Sequence, residues 1–66
     1  MRKEFANKLV KLRIDKKETQ AEVAKSINIQ QSTYAMYELG KRTPSDENKK
    51  KLATHFKTSV QEIFFD

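Results

Sequence analysis

Apolar residues recur at helical intervals along most of this chain, separated by short polar stretches. Phe5, Leu9 and Leu12 stand at i, i+4 and i+7, which predicts one buried stripe on a helix from Met1 to about Asp15. Arg13 lies beside that stripe and is expected to be partly buried. Thr19 and Glu22 make T-x-x-E, a capping box that starts a second helix at Thr19. Ala21, Val23, Ala24 and Ile27 supply its apolar positions, and the small Ala24 suits a close helix crossing. Asn28 follows the last of them and tolerates the left-handed conformation that ends a helix, less well than Gly does. Ile29 re-enters the core. A third helix runs from about Gln31 to Leu39, with Tyr34, Tyr37 and Glu38 on one inward face and Gln31, Ser32, Ala35 and Met36 on the other. Gly40 ends it. Ser45 caps a fourth helix that reaches about Phe56 or Lys57. Asp46 and Glu47 in its first turn suit the helix dipole, and Leu52, Ala53 and Phe56 form its buried stripe. Ser59 and Glu62 repeat the capping box and start a short fifth helix.

The predicted fold class is therefore all-α: a compact five-helix domain. The stretch from Thr19 to Glu38 holds two short helices joined by a tight turn, and the outer face of the second is mostly uncharged. That is the pattern of a helix-turn-helix, in which one helix braces and the other enters the DNA major groove.

Composition narrows the picture. Sixty-six residues with one Gly and one Pro, rich in Lys, Glu, Ala and Leu, favour helix over strand and allow one small domain, residues 1–66, with a thin core. Cys is absent, so no disulfide or thiolate metal site staples it. No apolar run approaches the roughly twenty residues that span a bilayer. The start, MRKEFANKL, has no apolar signal region, so the expected location is the cytoplasm. With no Cys, no Gly-rich phosphate loop and no His/carboxylate cluster, no catalytic residue, metal site or cofactor is expected.

Charge adds a spatial cue. The net charge is +5, from 14 basic and 9 acidic residues. Residues 1–17 carry seven basic and two acidic side chains, and residues 39–58 carry six and two. Residues 18–38 carry one Lys against three Glu. Two basic flanks thus enclose a nearly uncharged element, as suits phosphates on either side of base edges.

The stretch TQAEVAKSINIQQSTYAMYELGKRTPS resembles the helix-turn-helix of the phage-repressor and Cro family, also called Xre-like regulators. The likeness extends to L-x-x-L-R at Leu9, Leu12 and Arg13 and to A-x-x-F-x-x-S-x-x-E-I-F from Ala53 to Phe64. The ordered set Gln20, Ala24, Glu38, Gly40 and Pro44 carries most of its specificity. The resemblance implies a repressor-like DNA-binding domain with the helix-turn-helix at about 19–39, and a salt bridge between Arg13 and Glu38. It implies backbone contacts from Gln20 and from the basic pair Lys41 and Arg42. Arg13 and Tyr37 are alternative phosphate contacts, beside a structural role for each.

The chain departs from the family at several places. Glu18 stands where an apolar residue is usual and Lys49 where Leu is usual, and each thins the core. Ile14 takes a usually polar position and either compensates for Glu18 or lies exposed. Gln30 replaces the usual Ser or Thr N-cap and caps poorly. Tyr34 replaces a β-branched residue; it and Tyr37 are expected in the core, with hydroxyls paired at its edge. Lys49, Lys50 and Lys51 are expected to form a solvated face, and His55 to lie on the surface.

Base contacts are expected from the outer face of the third helix. Gln31 can bond N6 and N7 of adenine, and Ser32 can donate or accept. Met36, one turn on, either packs on a thymine methyl and favours A·T or makes no base contact. Thr33 and Ala35 flank them. At the C-terminal end, residues 63, 64 and 65 cannot share one face, because successive side chains differ by about 100°. At least one Phe faces outward, and with the family's habit this makes about 59–66 a dimerisation segment through Val60, Phe64 and Phe65.

The expected function is sequence-specific regulation of transcription, as a homodimer that represses by occupying a palindromic operator in double-stranded DNA, with no effector domain following. An interaction module, such as an antitoxin-like partner built on the same fold, is the alternative. The identity of any regulatory protein or peptide partner is not encoded in these motifs.

Overall fold

The computed structural model describes residues 3–65. Among these are five helices and no strand: α1 (Glu4–Asp15), α2 (Gln20–Ser26), α3 (Gln31–Leu39), α4 (Asp46–His55) and a terminal π-helical turn, α5 (Gln61–Phe65). Met1 and Arg2, placed in the first helix by the sequence, lie outside the described residues.

The helix starts follow local chemistry. Thr19 Oγ1 accepts from the Glu22 amide at 3.1 Å, and the Thr19 amide donates to Glu22 Oε1 at 2.8 Å, so both halves of the capping box form. Ser45 accepts from the Asn48 amide at 3.2 Å. Gln30 makes no side-chain cap at α3. At α5 half of the second box forms: Ser59 Oγ accepts from the Glu62 amide at 3.0 Å. The Glu62 carboxylate turns instead to the Thr58 hydroxyl at 2.7 Å.

The helix ends share one device. In each of α1 to α4 an amide just past the end reaches back five residues: Glu18 to the Arg13 carbonyl, Ile29 to Ala24, Lys41 to Met36 and Thr58 to Ala53. This closure requires a left-handed residue. Gly40 supplies it after α3, at φ 75°. Lys17, Asn28 and Lys57 supply it elsewhere, at φ 60°, 62° and 57°. The two lysines were not foreseen, because nothing in a Lys advertises that conformation.

One hydrophobic cluster binds all five helices: Phe5, Ala6 and Leu9 of α1, Val23, Ala24 and Ile27, Tyr34 and Tyr37 of α3, Leu52, Ala53 and Phe56, and Ile63 of α5. Leu12, Ile29, Val60 and Phe64 pack against its edge. Ala21, expected on the apolar face of α2, is exposed, and Ile14 is 58% exposed. Ala6, fully buried, joins the α1 stripe at the i+1 flank of Phe5.

Two charged residues at positions expected to be apolar, Glu18 and Lys49, are half-buried and met by partners. Glu18 Oε1 lies 2.6 Å from His55 Nε2, joining the α1–α2 loop to α4. His55 is thus half-buried and paired, not a free surface residue, because the carboxylate gives its ring a reason to turn inward. Burial works to raise the Glu18 pKa, but His55 and then Lys16 outweigh it and hold the carboxyl below its ordinary value. Lys49 also leaves the expected solvated face. Its ammonium lies 5.5 Å from the Phe64 ring centre and 4.8 Å from that of Phe65, a cation–π arrangement.

Left-handed Lys57 gives a direct test of the shared helix ending. A non-Gly residue there costs about 1–2 kcal/mol, partly offset by the entropy Gly loses on folding. Lys57→Gly should stabilise the fold by about 0.5–1 kcal/mol in urea denaturation followed by circular dichroism. Lys50→Gly, inside α4, should destabilise it by about 1 kcal/mol.

Candidate nucleic-acid interface

The geometry of α3 is set from below by one buried carboxylate. Glu38 is 4% exposed. Arg13 of α1 clasps it with two bonds, Nε to Oε2 at 2.7 Å and Nη2 to Oε1 at 3.2 Å. Arg13 Nη1 also donates to the Glu18 carbonyl at 3.0 Å, so the same guanidinium holds the loop into α2. Gln20, the first residue of α2, donates its amide to Glu38 Oε1 at 2.9 Å. One carboxylate therefore joins α1, α2 and α3. Burial favours the neutral acid, but Arg13 first, then the nearby Tyr34 hydroxyl and Gln20, prevail and hold the Glu38 pKa below its ordinary value. The Glu38 hydrogen bond in turn raises the Arg13 pKa.

Both tyrosines of α3 are buried beside this network. The Tyr37 hydroxyl accepts from Asn48 Nδ2 at 3.1 Å, which ties α3 to α4. At 3% exposure Tyr37 presents little to a phosphate. The Tyr34 hydroxyl was expected to find a partner; it is fully buried beside the Glu38–Arg13 pair but makes no hydrogen bond of regular geometry. Burial, reinforced by the Glu38 carboxylate, pushes its pKa far up, so the phenol stays neutral.

With Tyr34, Tyr37 and Glu38 facing in, the opposite side of α3 faces out. Gln31 and Ser32 are exposed, and Thr33, Ala35 and Met36 are half-buried. No charged side chain lies on this outer face. The loop after α3 carries Lys41 and Arg42, both exposed, and then the buried Pro44. Lys3, forty residues away in sequence, reaches the same loop: its Nζ lies 3.4 Å from Thr43 Oγ1. Lys3 was missed in the sequence because no local spacing links it to that loop. Gln20 is placed differently from the expectation of a free amide, since one of its N–H groups is engaged by Glu38.

At the C-terminal end the three apolar residues separate. Val60 is half-buried against the core, and the Phe64 ring packs 5.4 Å from that of Phe5. Phe65 is 59% exposed. The outward aromatic is thus Phe65, while Phe64 is largely committed to its own chain.

A two-helix unit with an uncharged outer face, set between cations, matches the family model described as Helix-turn-helix over residues 9–63. The chain belongs to the phage-repressor/Cro-type, Xre-like helix-turn-helix family. One relative is the cryptic phage CTXphi transcriptional repressor RstR of Vibrio cholerae, 34% identical over 62 residues. The match covers 94% of this chain and 56% of the relative, so the chain spans about half that relative's length. No solved structure matches the chain. Among the described residues no helix is long and apolar enough to cross a membrane, and no group of three metal-ligating side chains gathers.

The Glu38 pair is the natural target for a stability test. Glu38→Gln leaves Arg13 without its counter-charge. The cost should fall near the low end of about 3–5 kcal/mol, because Arg13 keeps some solvent. The depressed carboxyl contributes fully above the ordinary value of 4.5, and that share is lost as the pH falls further. Urea denaturation at pH 7 and at pH 3 should therefore show the gap between wild type and Glu38→Gln narrowing in acid.

Proposed function

We propose that this chain is a DNA-binding transcriptional repressor that reads a palindromic operator as a homodimer. The observation that carries this reading is the placement of α3. Its inner face is anchored through Glu38 to α1 and α2, and its outer face is uncharged and open. Such a face suits the major groove, where hydrogen-bond patterns distinguish the four base pairs. Gln31 and Ser32, at the N-terminal end of α3, are the direct base readers. Thr33, Ala35 and Met36 line the same approach.

Lys41 and Arg42 contact phosphates beside the groove, and Lys3 extends the cationic edge. Gln20 has a second amide N–H, so it can donate to a phosphate while Glu38 holds the first. Arg13 serves as the clasp beneath α3. Repression is carried over from the named function of the relative, and occupancy of an operator is the simplest way to exert it. The exposed Phe65, flanked by Val60 and the rim of Phe64, is the surface offered to a second copy. Half-sites would then lie about one helical turn apart.

Selection of bound duplexes from a random pool at near-physiological salt tests the whole reading. An inverted repeat is the expected result, and its spacing gives the dimer geometry. Log K should fall with log salt by about 0.9 for each phosphate contacted. Lys41→Ala should weaken all duplexes alike and lower that slope by about one, whereas Gln31→Ala should relax preference at one step by about 1–3 kcal/mol. No enriched motif, or equal loss on every duplex from both changes, would sink this assignment of roles.

A further inference from the structure

The outer face of α3 is not uniform. Its N-terminal half is polar, with Gln31 and Ser32. Its C-terminal half is apolar: Ala35, Met36 and Leu39 fall at i+3, i+4 and i+7 from Ser32, so all four share one face. Leu39 is 47% exposed, one of three large hydrophobic residues left in solvent among the described residues. The other two, Ile14 and Phe65, lie on other helices. Leu39 has no place in the core cluster, and it directly precedes Gly40 and the Lys41–Arg42 pair. An exposed leucine in line with a hydrogen-bonding face, and next to cations, matches a surface that is apolar at its centre and lined by phosphates at its edge.

The major groove presents such a surface at thymine, whose C5-methyl is the one apolar group on the base edges. We propose that Ala35, Met36 and Leu39 form an apolar reading strip that selects thymine by its methyl group, with Leu39 a specificity-determining residue. The proposal rests on the DNA-reading role of α3 and deepens it. The operator would then be read in two chemical modes along one helix. Gln31 and Ser32 read donors and acceptors near the start of α3. The strip reads methyl groups toward its end. Cytosine, which lacks the methyl and offers an amine, would be rejected under the strip, while 5-methylcytosine would be partly tolerated.

The test uses the duplex recovered from the random pool, with each thymine replaced in turn by deoxyuridine. That change deletes the methyl and keeps the pairing and the O4 acceptor. Deoxyuridine at the steps under the C-terminal half of α3 should weaken binding roughly four-fold per methyl, the effect of hiding one such group from water. Leu39→Ala should weaken the thymine duplex by a similar factor and abolish the deoxyuridine effect at its own step. Leu39 is exposed, so this variant should fold, and the wild-type deoxyuridine series needs no variant at all. A recovered motif with no thymine under the strip, or one indifferent to deoxyuridine, would overturn the proposal and leave DNA reading intact. Equal loss on thymine and deoxyuridine duplexes with Leu39→Ala would also overturn it, and would move Leu39 to a contact between copies of the chain. Failure to recover any motif would strike the DNA-reading role itself, and this proposal with it.

Discussion

Everything that α3 presents outward depends on the carboxylate it buries. Glu38 receives the Arg13 guanidinium from α1 and the Gln20 amide from α2, so three helices meet on two oxygen atoms. An ion taken out of water this far is tolerable only when donors surround it, and here three N–H groups do. The consequence is directional. A helix held from below by a charge-assisted fork has little freedom to roll, and rolling by one residue would turn Gln31 and Ser32 away and bring Tyr34 out. The network therefore fixes which side of α3 faces outward, as much as it fixes stability.

The second constraint is thinness. A chain of this size has few apolar residues to spend, and two positions that could be apolar hold Glu18 and Lys49. Each is absorbed by a partner chosen in three dimensions. Glu18 takes His55 across from α4, and Lys49 sets its ammonium over the rings of Phe64 and Phe65. These contacts extend the core with polar groups at its rim. They also give the two ends of α4 separate duties, one toward the loop into α2 and one toward the C-terminal aromatics. Among the described side chains, the buried Tyr34 hydroxyl is where such compensation is weakest: it lies beside the Glu38 carboxylate without a hydrogen bond of regular geometry.

Charge and polarity divide the surface in a way that suits an Xre-like regulator. The outer face of α3 carries no cation, and Lys41, Arg42 and Lys3 stand beside it. In the proposed reading, attraction to phosphates is separated from reading of bases, and the two can be altered independently. The separation arises because α3 uses its one charged residue, Glu38, internally.

What local chemistry dictates was legible in the chain itself. The Thr19–Glu22 box, the Ser45 cap, the Gly40 ending, the inward trio Tyr34, Tyr37 and Glu38, and hence the outward Gln31 and Ser32 all follow from spacings of four residues or fewer. Motif order supplied the Arg13–Glu38 pairing, which spacing alone does not reveal. Tertiary structure decided the rest. It turned Gln20 onto Glu38, drew His55 to Glu18, folded Lys49 over the rings, committed Phe64 to Phe5 and brought Lys3 to the loop after α3. Long polar side chains choose partners by reach across the fold, and no periodicity records that choice. Left-handed Lys17 and Lys57 belong with them, since the backbone conformation there is imposed by the helix ending and only tolerated by the residue.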